Sequence, residues 1–194
     1  MTDKLVPTPS QTVGPFFHLG MDRAEWNDLT RSNPSGEQIA IEGRVIDGDG
    51  MPVPDAIIEL WQANAAGRYN HPDDHQDDKP LDPNFRGFGR VATDGAGYFR
   101  IVTIKPGPVP GRGNALQAPH ICVAVFARGL LKHLFTRIYF ADAVENAGDP
   151  LLSSIDDERA RRSLLAHREP GASPAPYRFD IVLQGEGETA FLDI

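Results

Sequence analysis

The sequence predicts a mainly β protein: an antiparallel β-sandwich with an extended N-terminal arm and one or two short helices. Two observations carry most of that expectation. Seven or eight short apolar runs are separated by Gly, Asp, Asn and Pro turn signals. The 19 glycines and 17 prolines favour many turns and short strands over long helices. A third observation bounds the size: 194 residues, 40% of them hydrophobic, can bury a core as one domain. That domain, 1–194, divides into an arm at 1–20 and a sandwich core at 39–194.

Residues 1–20 hold Pro7, Pro9, Gly14 and Pro15 before Phe16 and Phe17, which reads as an extended arm rather than a helix. The two phenylalanines need a surface to pack on, either this chain's own core or a neighbour. Residues 21–31 read as a short helix with Ala24, Trp26 and Leu29 as its apolar positions. Residues 39–46 alternate like a half-buried strand and end in the turn Asp47-Gly48-Asp49-Gly50. Residues 56–62 read as a core strand. From Arg68 to Arg86 runs a polar excursion with Tyr69, His71, His75 and five aspartates; a loop of that length is functional or disordered. Strands follow at 87–93, 97–104, 119–126 and 134–140, and Ala127-Arg128-Gly129 is a tight corner that displays an arginine. Ser154-Ile155-Asp156-Asp157 resembles a capping box, with a helix running on to about 167. After a linker at 171–176, residues 177–184 form the last long strand and 189–192 a short one.

A formal net charge of -8 and a pI of about 5.2 argue against nucleic acid as the main partner. The single cysteine excludes an internal disulfide. No stretch approaches the roughly 20 apolar residues of a membrane span. The start shows no apolar run of signal-peptide length, so a cytoplasmic protein is expected.

The candidate metal donors are Tyr69, His71, His75, His120 and Cys122. His120 and Cys122 sit at i and i+2 of a strand and so face one side together. Two donors fall short of the three or four that zinc takes, and a packed histidine beside a buried thiol accounts for them as well. Cys122 lies mid-strand between Ile121 and Val123, a poor setting for a nucleophile. The aspartates around His71 and His75 read first as a solvated loop. Gly107, Gly111 and Gly113 lack the spacing of a phosphate-binding loop. Arg128 suits a carboxylate-bearing ligand through two parallel hydrogen bonds, and equally suits a surface salt bridge.

Thr8–Phe17 (TPSQTVGPFF) resembles the entry arm of the intradiol ring-cleavage dioxygenases. Glu59–Asn64 (ELWQAN), Gly67-Arg68-Tyr69, Phe85–Arg90 (FRGFGR), Thr103–Gly107 (TIKPG) and Pro119-His120-Ile121 resemble the same family, in order and over nearly the whole chain. The iron-bearing chains of that family hold Fe(III) with two tyrosines and two histidines. The first tyrosine falls at Tyr69. The second follows Pro-Gly-Pro, where this chain has Val109. The His-x-His pair is matched by His120 and Cys122. An arginine usual three residues before the first histidine is replaced by Gln117.

With two of four ligands missing, the resemblance implies a vestigial centre at Tyr69, Val109, His120 and Cys122, no metal bound by this chain, and no catalytic residue in this chain alone. It implies an alpha chain, as the Phe126–Gly129 corner and the Phe179–Thr189 ending also suggest. The implied partner is a homologous, iron-bearing beta chain in a higher-order hetero-oligomer, with that chain's Fe(III) as cofactor. The implied substrates are a small aromatic acid, 3,4-dihydroxybenzoate, and O2; the implied product is 3-carboxy-cis,cis-muconate. Arg128 would attract the substrate carboxylate, and Thr12, Gly14 and Pro15 would form part of the pocket wall. Two other readings stand beside this one. The chain could be an iron enzyme with an altered ligand set, adding His71 or His75. It could also be a non-catalytic β-sandwich, a binding or structural module that has kept the fold and lost all catalysis.

Overall fold

β1 (Gln38–Ile46) lies near the centre of the molecule because its Ile39, Ile41 and Val45 side chains have no exposed surface. On one side it pairs antiparallel with β4 (Tyr98–Ile104). On the other it pairs in parallel with β10 (Ala175–Arg178) and, further along, β11 (Ile181–Val182). The structure is a computed structural model that describes residues 7–14, 16–111, 113, 115–171 and 173–193. Residues 1–6 of the arm and Pro15 lie outside the described residues.

From β10 the sheet continues through β9 (Leu165–Arg168), β8 (Leu134–Phe140), β7 (His120–Phe126) and β2 (Ile57–Trp61) to β3 (Phe88–Ala92). β3 then packs beside β4, so the sheet nearly closes on itself like a barrel. A two-residue hairpin of β5 (Val109–Pro110) and β6 (Leu116–Gln117) stands apart. The class is mainly β, as the sequence predicts. Pairing is mostly antiparallel, with parallel contacts of β1 to β10 and β11 and of β8 to β9.

One core fills the inside. Alternate residues of the strands supply it: Ile58 and Leu60, Phe99 and Ile101, Ile121, Val123 and Val125, Ile138 and Phe140. Their period-2 spacing puts the intervening residues on the outer face. A smaller cluster of Ala118, Tyr139, Leu152 and Leu164 lies under α2 (Pro150–Ser154). Asp149 caps that helix, accepting from the N–H groups of Leu151 and Leu152 at 2.9 Å each.

The structure differs from five of the expectations. Phe17 is not in an extended arm, because Phe17–Met21 forms one helical turn, α1. Residues 21–31 hold only a 3-10 turn at Ala24–Trp26, after which Asn27–Leu29 runs along the free edge of β4 and bonds to Val102. The helix expected from 154 to 167 is instead α3 (Glu158–Arg162), capped by the Asp157 carboxylate. Residues 165–168 are drawn out of helix by pairing with β8 on one side and β10 on the other. The strand expected at 177–184 breaks at Phe179-Asp180. There the Phe179 N–H bonds to the Glu42 carbonyl, and Gly43 lets the chains approach so closely that a Cβ would lie 1.8 Å from the Phe179 oxygen. Residues 189–192 form no strand; only a bridge joins Phe135 and Leu192. No described helix is long and apolar enough to cross a membrane.

Candidate functional site

The outer face of β3, β2, β7 and β8 carries a row of side chains set by register. Phe88 lies opposite Trp61, Trp61 opposite Cys122, and Cys122 opposite Arg137. One step along, His120 lies opposite Tyr139. Residues directly opposite share a face, so His120, Cys122, Arg137 and Tyr139 form a single patch. The polar excursion folds over it. Gly67 takes a left-handed φ of +80°, and a Cβ there would lie 2.0 Å from the Pro108 oxygen. That contact brings the Tyr69 segment against the Pro-Gly-Pro turn that leads into β5. Tyr69 stacks on Trp61 with ring centres 5.8 Å apart, and His71 meets the Trp61 edge at 6.4 Å.

The excursion is ordered by its own carboxylates and by one lysine. Asp74 accepts from the Tyr69 N–H at 2.7 Å. Lys79 Nζ donates to the Pro108 and Gly67 carbonyls at 2.9 and 3.2 Å. A cleft of about 530 Å³ results, lined by Trp61, Tyr69, His71, His75, Val109 and Pro110, with the Asp73 and Asp74 carboxylates on its wall.

The four positions expected for a vestigial centre are divided between this cleft and the strand face that carries His120 and Cys122. Tyr69 and Val109 line the cleft. Cys122 lies near enough to Tyr69 to act on its phenol. His120 is 3% exposed and its Nδ1 donates to the Ala118 carbonyl at 2.7 Å, which leaves Nε2 with the lone pair. Burial, with help from the Arg137 cation, pushes His120 down to about 4. Burial likewise pushes the Cys122 thiol up, against the pull of Arg137. Burial also raises the Tyr69 phenol, reinforced by Cys122 and Asp74 and opposed by Arg137. Tyr69, His120 and Cys122 are therefore neutral at neutral pH. Among the described residues no three His, Cys, Asp or Glu side chains converge as a metal cluster.

Sequence reasoning misses Arg137. Its Nη1 donates to Gln117 Oε1 at 2.7 Å and to the Tyr139 hydroxyl at 3.2 Å. Gln117 in turn donates to the Pro110 carbonyl at 2.9 Å, tying the patch to the β5–β6 hairpin. The signal was a lone cation in an apolar strand (LFTRIYF), two residues from Tyr139.

The remaining predicted residues form a second group. Thr12 Oγ1 accepts from the Gly129 N–H at 2.7 Å, so arm and corner meet. The Gly14 carbonyl accepts from Phe17 N–H at 3.0 Å and starts α1. Phe17 packs on Phe126 with ring centres 5.7 Å apart, so this phenylalanine uses the chain's own surface. Phe16, 78% exposed, does not. Arg128 holds Asp55 through two contacts, Nε to Oδ1 at 3.2 Å and Nη2 to Oδ2 at 3.1 Å. Asp55 was not anticipated, because 73 residues separate it from Arg128.

The near-closed β-sandwich belongs to a class that the comparisons define: the chain is a member of the intradiol ring-cleaving dioxygenases, a family of enzymes, and residues 13–185 match the family model described as Dioxygenase. It is 42% identical over 206 residues to the protocatechuate 3,4-dioxygenase alpha chain of Pseudomonas putida, covering 100% of both chains. It is also 42% identical over 187 residues to the beta chain of Burkholderia cepacia, covering 93% of this chain and 77% of that one. Identity is equal to the two, and the alpha chain is the one covered over its full length. Together they support an alpha subunit. Among solved structures, the dioxygenase domain of a carbohydrate-binding fusion from Streptomyces sp. SirexAA-E superposes with a TM-score of 0.63 at 26% identity, over 93% of this chain and 99% of that one.

Proposed function

We propose that the chain is the alpha subunit of a protocatechuate 3,4-dioxygenase, holding no iron itself and closing the pocket around a homologous beta chain's Fe(III). The complex cleaves 3,4-dihydroxybenzoate with O2 to 3-carboxy-cis,cis-muconate in the cytoplasm. The observation that carries this reading is Val109. It lines the same cleft as Tyr69, at the position of the family's second tyrosine, and its side chain has no donor atom. Fe(III) is a hard ion that favours anionic oxygen. One phenol, one imidazole and one thiol beside a guanidinium do not fit it.

The partner's ferric ion supplies the activation of the catecholate toward O2. This chain's residues bind and orient. Arg128 presents a planar, permanently charged fork to the substrate carboxylate. Its exposed pair with Asp55 is worth roughly 0–1 kcal/mol, so the substrate displaces Asp55 at little cost. Thr12 and Gly14 set the wall beside it through the bond of Thr12 to Gly129. On an acidic chain, one cation at the pocket mouth also concentrates an anionic substrate there.

The altered-ligand reading has the geometry of His71 against it. That ring packs on the Trp61 edge, and its Nδ1 accepts from the Asp73 N–H at 3.2 Å. The test is to produce the chain alone and with its beta partner, then measure iron and visible absorbance. A colourless, iron-free lone chain that joins a coloured, substrate-cleaving complex supports the proposal. Iron and colour in the lone chain overturn it.

A further inference from the structure

Arg137 is a half-buried cation whose hydrogen-bond partners, among the described residues, are all neutral. It projects from the face that carries His120 and Cys122, directly across from Cys122. Its charge reaches Tyr69, His120 and Cys122 alike. Burial works against that charge, but the Tyr139 hydroxyl, Cys122 and Tyr69 offset it, so the group stays a cation. Arg137 also holds Gln117, the residue opposite Val109 in the β5–β6 hairpin. One side chain therefore sits among the expected ligand positions, across from Cys122 and bonded to the residue opposite Val109.

We propose that the Arg137 guanidinium is the resident cation of this centre and excludes a metal ion from the donors around it. The inference rests on the alpha-subunit reading only in taking Val109 and Cys122 as former ligand positions. Two features make the exclusion effective. A guanidinium cannot give up its proton near neutral pH, so it cannot become a neutral donor. It also has no lone pair for a metal, while its positive charge opposes a di- or trivalent ion within a few ångströms. The loss of metal binding is thus due to an occupant as well as to two missing ligands.

The test restores the ligands with and without the occupant. The full chain is prepared as Val109→Tyr/Cys122→His, and as the same pair with Arg137→Gln or Arg137→Lys. Each is loaded with iron, passed through gel filtration, and read by bound iron per chain and by tyrosinate-to-iron absorbance. The double variant and the Arg137→Lys triple are expected to keep less than a tenth of an equivalent. The Arg137→Gln triple is expected to approach one iron per chain and to colour. Equal loading of the double and the Arg137→Gln triple, full or empty, overturns the proposal, as does equal loading of the Lys and Gln triples.

A second measurement covers the case in which the multiple variants do not fold. Arg137→Gln is made alone, in the native ligand set, and melted with and without Co(II). Co(II) is expected to raise the melting temperature of this variant and leave wild type unchanged. No difference between the two overturns the occupant role. Because the lone chain's iron content tests the alpha-subunit reading separately, failure of one is distinguishable from failure of the other.

Discussion

Arg128 and Asp55 form an exposed, two-contact pair at a corner where the chain's substrate-facing cation is expected to work. If a substrate carboxylate displaces Asp55, the two substitutions act in opposite directions. Arg128→Ala raises KM for protocatechuate in the assembled enzyme more than it lowers kcat. Asp55→Asn lowers KM, by up to about fivefold, since an exposed pair is worth at most about 1 kcal/mol. Steady-state kinetics of both variants checks the pair; an Asp55→Asn enzyme with raised KM would show that Asp55 positions Arg128 rather than competing for it. His120 gives a pH prediction. Its folded value of about 4 lies below the ordinary 6.5, so the unfolded chain binds the extra proton in that interval. Stability is therefore intact above about pH 6.5 and falls as pH drops toward 4, by roughly 3 kcal/mol at most. Urea melts at several pH values should show a shallower slope in this window for His120→Gln than for wild type. At this scale Tyr69, Val109, His120 and Cys122 are picked out in the sequence by the family resemblance, because short contiguous motifs carry it. Arg137 and Asp55 are not, because only strand register and a contact across 73 residues give them their roles.

Strands are the legible elements where one face is buried. Residues 39–46, 97–104 and 134–140 show the alternation that a two-faced sheet imposes, and the structure keeps them as strands. The 154–168 stretch is different. Its acidic start and basic end suit a helix, and Glu158–Arg162 does form one. The last residues follow tertiary pairing instead, a long-range force that local charge order does not encode. The preceding α2 depends on Asp149, a fully buried cap that also accepts from the Ala118 N–H at 2.8 Å and the Tyr139 hydroxyl at 3.2 Å. Asp149→Ala removes the cap and leaves buried donors unpaired. A loss of about 3 kcal/mol is expected, read as a melting temperature lower by roughly 6–12 °C in a domain of this size. A shift under 2 °C would mean that water takes over the role of the carboxylate.

The whole molecule exposes apolar groups where its arm and corner loops meet solvent. Phe16 is 78%, Leu19 67% and Leu131 62% exposed. Three large apolar side chains near one region are more than scattered surface residues require. The arm is tied to the corner by Thr12 and to β7 by Phe17, while the sandwich core lies elsewhere. Removing residues 1–14 should therefore leave the melting temperature within a few degrees and weaken association with the beta partner at least tenfold. Gel filtration of mixed subunits measures this. Co-elution at wild-type affinity would place the interface outside the arm.

Arg137 also bears on the chain's history. A lineage that regained only Val109→Tyr or Cys122→His would set new donors against a standing positive charge and gain no metal. One that lost only the arginine would leave Gln117 and Tyr139 without their shared donor. While the arginine stands, each ligand-restoring step is then neutral or harmful, and selection has nothing in it to favour. A guanidinium that excludes metal as proposed would act as a ratchet, holding the subunit to a supporting role.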